Sequence, residues 1–244
     1  MASSIPADTV DVADFFPALR AGNTDIALQT GNETLTFAAL HKRINQLASG
    51  LLAAKADLAE ERIAFFMPAS VDYVCILLGV WRAGGIAVPL NVAAAVPELE
   101  HALLCAGITR LVVSGSVEDA ALADLRSLCA TLDVTMVSVT DILVPKEVAL
   151  PVLTPQRRAM MLFTSGTTNK PKGVISTHNT LRAQITTLVQ AWAWQSDDTI
   201  PLFLPLHHIH GIINVLCCGL WVGARVELFA KFDMHTILQQ VAAG

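Results

Sequence analysis

The segment TSGTTNKPKG, residues 164–173, places hydroxyl and ammonium groups together in a strongly apolar chain. A nucleoside triphosphate carries about four negative charges close together, so binding it requires exposed backbone amides, hydroxyl donors and a cation. Lys172 supplies a mobile cation and Lys170 a second one nearby. At an effective dielectric constant near 20, one cation about 4 Å from one phosphate charge contributes roughly 4 kcal/mol before desolvation. The predicted phosphate contacts are Thr164, Ser165, Gly166, Thr167, Thr168, Lys172 and Gly173.

Glycine and proline set the expected backbone of this segment. Gly166 and Gly173 are expected to adopt positive φ and to approach phosphate oxygens closely, because glycine has no Cβ. Pro171 stiffens the exit of the turn. The spacing differs from the P-loop pattern, in which the lysine follows the second glycine, since Lys172 precedes Gly173. The chain also lacks the G-x-G-x-x-G fingerprint of dinucleotide-binding folds. A nucleotide-binding module without chemistry and a solvated surface turn remain as alternatives.

Three histidines stand close together in the segment PLHHIHG, residues 205–211. If they lie on a strand, His208 and His210 point to one side and could bind Zn²⁺, which makes a metal hydrolase an alternative. Such a site needs a third ligand and a base, and the downstream candidates are Glu227, Asp233 and His235. Imidazoles also suit a second function. They can meet a buried carboxylate, whose burial without a partner costs several kcal/mol.

Continuous apolar strands alternate with amphipathic helices along the chain, which predicts an α/β fold of layered, largely parallel sheets flanked by helices. The buried strand 159–163 leads directly into the hydroxyl-rich segment, and a second strand follows it. Thr36 and Asn179 are predicted helix caps. Strands are predicted over 62–67, 86–90, 110–114, 135–139, 159–163, 173–177, 200–204 and 225–229. Helices are predicted over 37–51, 70–82, 97–107, 118–130, 180–194 and 212–222, and from Asp233 to Gly244.

Residues 144–158, VPKEVALPVLTPQRR, contain three prolines and little periodicity, so they are predicted to form a connector. We therefore expect an N-terminal α/β subdomain over 1–155. Residues 156–244 are expected to begin a nucleotide- and acyl-binding subdomain. The strand–helix alternation continues to the last residue, which indicates that the chain is the N-terminal part of a longer protein.

Charge and hydropathy limit the classes of partner. The formal net charge is −5 and no basic stripe is present, which argues against nucleic acid. The most apolar stretches, 73–90 and 211–224, are interrupted or fall short of the roughly 20 residues that span a bilayer. No transmembrane segment is therefore expected. The N-terminus has no cationic region typical of a signal peptide. The five cysteines lie in apolar stretches without a CxxC pair, which predicts buried, reduced thiols and a cytoplasmic location.

The segment 164–173 resembles the T-S-G-[ST]-T-G-x-P-K-G signature of the acyl-adenylate-forming enzymes, with Asn169 where that signature has glycine. Asparagine tolerates left-handed backbone geometry, so we expect the turn to be kept. Residues 205–211 match the Pro-x-x-His-x-x-Gly segment of the same superfamily. The run 176–232, with its AWAW, LPLHHIHG and LWVGA segments, resembles malonyl-CoA synthetases. The stretches LTFAALHKRINQLASGL and AGGIAVPLN match the superfamily more loosely.

The resemblance implies the N-terminal part of the large domain of an acyl-CoA synthetase-like fold, and an AMP-forming acid–thiol ligase. A carboxylic acid, malonate in the first place, would react with ATP to give acyl-AMP, and CoA would then form the thioester. Other short-chain or fatty acids remain alternative substrates. The resemblance also implies that the segment 164–173 holds the ATP phosphates and that Thr164 lies near Mg²⁺. It implies His208 as the catalytic residue beside the reacting carboxylate, and His207, His208 and His210 as acyl-substrate contacts. Without the superfamily's downstream motifs, the chain alone is expected to be inactive.

Overall fold

The structure, a computed structural model, describes residues 15–117, 119–164 and 171–243. Its strands are β1 (Ile26–Gln29), β2 (Thr34–Thr36), β3 (Arg62–Phe66), β4 (Ile86–Pro89), β5 (Arg110–Val113), β6 (Thr135–Ser138), β7 (Arg158–Thr164), β8 (Lys172–Thr177), β9 (Thr199–Leu202) and β10 (Arg225–Leu228). Its α-helices are α1 (Phe37–Leu52), α2 (Val71–Arg82), α3 (Val96–Ala106), α4 (Asp119–Thr131), α5 (Val139–Ile142), α6 (His178–Ala191), α7 (Cys218–Val222) and α8 (Met234–Ala243). A π-helix covers His210–Cys217.

The described strands form two sheets, and most neighbouring strands are parallel. The six-stranded sheet has the order β6-β5-β3-β4-β7-β8, and the four-stranded sheet has the order β2-β1-β10-β9. The antiparallel pairs are β7–β8 and β1–β2. A parallel connection needs a crossover of a dozen or more residues. Only residues 165–171 connect β7 to β8, so these strands form a hairpin. The predicted α/β class with largely parallel sheets is confirmed.

Both faces of the central strands β3, β4 and β5 are buried, as their continuous apolar sequences predict. On β3, Ile63 and Phe65 point into a core that includes residues of α1 and α2. Ala64 and Phe66 belong to a second core together with residues of α3 and α4. Successive side chains of a strand point to opposite faces. This arrangement leaves the ends of the strands as the accessible places for a ligand.

The hydrogen bonding of the sheets crosses residue 155, where the sequence predicts a division. β7 and β8 follow that residue, yet β7 pairs with β4 of the N-terminal segment. Conversely, β1 pairs with β10, joining Leu28 to Val226. Each sheet therefore contains strands from both predicted subdomains, and the division at residue 155 stays a prediction.

Helix starts in the C-terminal part differ from the predicted ones. α6 begins at His178, because the hydroxyl of Thr177 accepts a hydrogen bond from the Thr180 amide at 3.2 Å. Thr177 is therefore the cap, and the prediction of Asn179 as the cap is wrong. The helix predicted from residue 212 begins two residues earlier, as a π-helix. The predicted start of α4 at Glu118 and the end of the last helix at Gly244 lie outside the described residues.

The cysteines differ in exposure. Cys75, Cys129, Cys217 and Cys218 are buried free thiols, whereas Cys105 on α3 is exposed. The prediction of burial is therefore wrong for Cys105, because an apolar run on a helix also includes positions on the solvent side. Within the part of the chain that the structure describes, no helix has the length and apolarity needed to cross a membrane.

Candidate functional site

The β7–β8 hairpin presents two predicted phosphate contacts side by side. Thr164 ends β7 and Lys172 begins β8, and the two residues are paired across the strands, next to the pair of Phe163 and Gly173. Both Thr164 and Lys172 are exposed. Lys172 forms no ion pair with any carboxylate in the described ranges. A hydroxyl and an available ammonium group therefore stand together at the base of the hairpin. The other predicted phosphate contacts lie outside the described residues: Ser165, Gly166, Thr167 and Thr168.

Gly173 has a different backbone conformation from the predicted one. It lies in β8 with extended backbone, so the expectation of positive φ at this residue is wrong. A Cβ at this position would lie 3.1 Å from Cε and 3.2 Å from Sδ of Met161 on the neighbouring strand. The glycine therefore allows close packing across the hairpin.

A cavity of 200 Å³ joins the hairpin to the histidine segment. It lies at the carboxyl end of β4, whose last residue is Pro89, and near the end of β7. Ligands of open α/β sheets bind outside the carboxyl ends of parallel strands. Phe163 and Pro171, the neighbours of Thr164 and Lys172 in the chain, therefore share this cavity with His207 and His208. The residues that line the cavity include Pro89, Asn91, Glu98, His101, Phe163, Pro171, His207 and His208.

The rings of His207 and His208 contact each other at this cavity, with their centroids 4.2 Å apart and their planes tilted by 51°. His207 is partly buried. Burial lowers the pKa of His207 from its ordinary value of 6.5, and the neighbouring His208 lowers it further. A lowered pKa keeps the His207 imidazole neutral at pH 7, so it can donate one hydrogen bond and accept another.

A hydrogen bond and close packing fix the backbone before His207. The buried Tyr73 hydroxyl donates a hydrogen bond to the carbonyl of Leu206, and burial raises the pKa of that phenol well above its ordinary value. Gly211 lets the π-helix approach the turn, because a Cβ there would lie only 2.8 Å from the carbonyl oxygen of Pro205. Sequence reasoning missed Tyr73. The signal was the single tyrosine of the chain within an apolar helix, since a buried phenol needs a hydrogen-bond partner.

His210 faces a different group of residues. Its Nδ1 accepts a hydrogen bond from the side-chain amide of Asn214 at 3.1 Å. Gln184 donates to the carbonyl oxygen of that amide at 2.6 Å, which fixes which end of Asn214 faces His210. The ring of His210 stands edge-on to Trp192, with centroids 6.5 Å apart. His210 does not line the 200 Å³ cavity, so the structure separates it from His207 and His208.

The zinc-site alternative finds no support in the structure. His207 and His208 lie in a turn and His210 begins a helix, so the strand geometry that would align His208 with His210 does not occur. Among residues 15–117, 119–164 and 171–243, no group of three or more His, Cys, Asp or Glu side chains could hold a metal ion. Glu227 is one of the candidate ligands. Its Oε1 instead lies 3.9 Å from a guanidinium nitrogen of Arg225.

A second cavity, of 320 Å³, adjoins the first and shares Leu90, Asn91 and His207 with it. Apart from Lys231, its other lining residues are apolar. They include Met67, Phe203, Leu204, Leu206, Phe229 and Phe232. The accessible space beside His207 therefore has a polar part near the hairpin and an apolar part between the two sheets.

Sequence reasoning also missed His101, which lies on α3 and lines the first cavity. Its Nε2 is 2.9 Å from the carbonyl oxygen of Pro171, a residue 70 positions away in the chain. No local pattern in the sequence indicates this contact, because α3 and the hairpin meet only after the sheet has formed.

The model of the AMP-binding enzyme family matches residues 17–243. The chain is 36% identical over 191 residues to the mitochondrial malonate–CoA ligase ACSF3 of Homo sapiens, covering 75% of this chain and 32% of the relative. It is 38% identical over 186 residues to the protein of the same name from Xenopus laevis, covering 73% of this chain and 32% of the relative.

Solved structures agree with these matches. ATP-bound MatB from Rhodopseudomonas palustris superimposes with a TM-score of 0.83 at 26% identity, over 94% of this chain and 47% of that one. The chain thus spans about a third of the length of the curated relatives and about half of the solved structure. The predicted resemblance to the acyl-adenylate-forming enzymes is confirmed. On the match over residues 17–243, the chain belongs to the AMP-binding enzyme family.

Proposed function

We propose that this chain is the part of an AMP-forming carboxylate–CoA ligase that binds the ATP phosphates and the reacting acid, with malonate as the favoured acid. One observation carries the proposal. Phe163 and Pro171, which precede the paired residues Thr164 and Lys172, line a single cavity together with His207 and His208 at the carboxyl end of β4. The vertebrate relatives named malonate–CoA ligase support the choice of acid.

The hairpin suits a triphosphate because it offers a hydroxyl and an ammonium group that no described carboxylate neutralises. In the proposed reaction, the acid's carboxylate attacks the α-phosphate, and the bond to pyrophosphate breaks. The CoA sulfur then attacks the acyl carbon, loses its proton, and releases AMP. Lys172 would stabilise the negative charge of the leaving pyrophosphate, with the segment 164–173 around it. Mg²⁺ bound to ATP would neutralise phosphate charge, and Thr164 offers a hydroxyl oxygen near it.

The histidines would position the acid. His208 would lie beside the reacting carboxylate as the catalytic residue. The neutral His207 would be a second hydrogen-bond partner of the acid. The sequence predicts His210 as a further acyl-substrate contact, but it is exposed and does not line the cavity of His207 and His208, so we assign it no role in the proposed reaction.

The apolar cavity of 320 Å³ favours a second candidate, a ligase for a fatty or other apolar acid. Both candidates predict ATP-dependent pyrophosphate release, and they differ in the acid that supports it. A nucleotide-binding module without chemistry would bind ATP and release no pyrophosphate with any acid. A panel of acids, assayed by pyrophosphate release with a protein of the relatives' full length, therefore separates all three.

Replacing Lys172 tests the role of the hairpin. In that full-length protein, Lys172→Ala should lower the rate of adenylate formation by about 10²-fold or more, because a donor to the transition-state charge is lost. Lys146→Ala is the control, since Lys146 is exposed and lies in the connector. Rates of the Lys172 variant within twofold of the wild type would contradict the proposal.

The compartment is a separate question. The cytoplasmic location predicted from the sequence stays a prediction, because the vertebrate relatives are named as mitochondrial proteins. Cell fractionation of the source organism would test it.

A further inference from the structure

We propose that His101 is a positioning residue for the phosphate-binding hairpin, which we define by its two strands, β7 and β8. Its role is to fix the backbone at the junction between Pro171 and Lys172. The inference rests on the proposed function, because it concerns how Lys172 is presented to ATP. It assigns a role to a side chain that no sequence motif marks.

His101 contacts β7 and the residue that precedes β8, next to the two exposed predicted phosphate contacts. Its Nε2 lies 2.9 Å from the carbonyl oxygen of Pro171, the residue before Lys172. Its ring stands edge-on to Phe163, the residue before Thr164, with centroids 6.5 Å apart and planes at 70°. One imidazole thus bridges the end of β7 and the beginning of β8.

The chemistry of Pro171 gives this hydrogen bond its importance. Thr164 and Lys172 form the last pair of the antiparallel ladder, so Pro171 lies one residue beyond it. The proline ring fixes φ and leaves no N–H to anchor the backbone. The carbonyl group is therefore the hydrogen-bonding group of Pro171, and His101 anchors it. This hydrogen bond anchors the residue that precedes β8, on the side of the proposed phosphate-binding segment.

The proton on His101 is assigned by its partner. A carbonyl oxygen only accepts, so Nε2 must carry the hydrogen. Protonation of Nδ1 would leave that N–H in place, and the contact therefore does not require a neutral imidazole. His101 itself is held on a stable element, because Leu99, Ala102 and Leu103 of α3 are buried in the core beneath the sheet.

Two substitutions of similar chemistry test the inference. In His101→Gln the amide nitrogen can occupy the place of Nε2 and donate to Pro171. The shorter side chain of His101→Asn places its amide near the position of Nδ1 and cannot reach. Leu104→Ala is the matched control on the same helix, since Leu104 is 60% exposed. All the variants keep a helix-compatible, non-charged side chain.

Steady-state kinetics of the full-length enzyme give the first measurement. Loss of one net hydrogen bond predicts a rise in the KM for ATP of about 5-fold in His101→Asn, with the KM for the acid unchanged. His101→Gln and Leu104→Ala should stay within about twofold of the wild type. If the wild type releases pyrophosphate and the KM for ATP of His101→Asn is unchanged, the positioning role is overturned. A wild type without acid-dependent pyrophosphate release would instead overturn the proposed function.

Hydrogen exchange of the present chain gives a second measurement that needs no activity. The amides of Lys172–Val174 should exchange about 5-fold faster in His101→Asn and return to the wild-type rate in His101→Gln. The amides of β5, on the far side of the sheet from the hairpin, should exchange equally in all the variants. Equal exchange of Lys172–Val174 in the Asn and Gln variants would overturn the inference even if the protein proves to be a ligase.

Discussion

At the scale of single residues, the buried ring of His178 has an unusual environment. It lies at the start of α6, edge-on to Phe15 and Trp81 at centroid distances of 6.1 and 6.0 Å. Its Nδ1 is buried without a hydrogen-bond partner among the described atoms. Burial lowers the pKa of His178 from 6.5 to about 4, and the nearby charge of Arg157 contributes to the same direction. At pH 7 the folded protein therefore contains the His178 imidazole in its neutral form.

The pKa of His178 predicts how stability changes with pH. Below pH 6.5 the unfolded chain binds a proton that folded His178 does not bind until about pH 4. The contribution of His178 to the free energy of unfolding is thus complete above pH 6.5 and is lost as the pH falls toward 4. Between pH 7.5 and 5.0 the free energy of unfolding should fall by about 2 kcal/mol from this residue alone. Urea unfolding at the two pH values measures the difference.

The control for this prediction separates His178 from other titrating groups. His178→Leu should reduce the pH-dependent difference in unfolding free energy by about 2 kcal/mol, whatever its effect on absolute stability. His235→Gln, at an exposed position, should keep the wild-type difference. The assignment fails if the Leu variant loses as much stability as the wild type between the two pH values.

At the scale of elements, the π-helix and the turn before it determine where His207 and His208 stand. The turn is tied to α2 by Tyr73 and to the π-helix by close backbone contact at Gly211. The backbone amide of Ile212 also donates to the His208 carbonyl at 3.2 Å. Two separate elements, α2 and the π-helix, therefore hold the same short segment beside the cavity.

Gly211→Ala tests the close contact between these elements. The added Cβ would lie 2.8 Å from the Pro205 carbonyl oxygen, which is backbone and cannot rotate away. We expect a loss of about 1–3 kcal/mol in unfolding free energy, because overpacking forces the backbone to shift. Thermal or urea unfolding measures it.

The matched control is Gly31→Ala, because nothing lies within 4 Å of a Cβ at Gly31 and its φ is not positive. That variant should keep the wild-type unfolding free energy to within about 1 kcal/mol or gain stability, since alanine restricts the unfolded chain. Equal effects of the two substitutions would show that the contact at Gly211 does not limit the packing of the turn.

At the scale of the whole molecule, ion pairs and strand pairs connect distant parts of the chain. Arg157, at the end of the connector, donates to Asp57 at 2.9 Å and also to the carbonyl of Gly84. Arg158 donates to Glu60 through Nε at 2.7 Å. These contacts fix the start of β7 against the N-terminal half. Together with the mixed sheets, they connect the two predicted subdomains through strand pairs and side-chain contacts.

Separate expression of residues 1–155 and 156–244 tests this interdependence. Residues 156–244 lack β4, which pairs with β7, and β1, which pairs with β10. Unpaired strand edges and exposed core surface favour unfolding or aggregation. We therefore expect this fragment to be unfolded by circular dichroism and by amide NMR dispersion, whereas residues 1–244 fold cooperatively. A folded, monomeric fragment would instead support independent subdomains.

Sequence alone determined the class of the fold, most of its elements and the two clusters that meet at the cavity. These features depend on local patterns: the apolar strands, the caps at Thr36 and Ser70, and the composition of the segment 164–173. Tertiary structure decided which strands pair, that His210 separates from His207 and His208, and that Tyr73 and His101 contact the backbone beside the cavity. The reason is physical. These contacts join residues far apart in the chain, and their geometry is set only when the sheets and helices pack together.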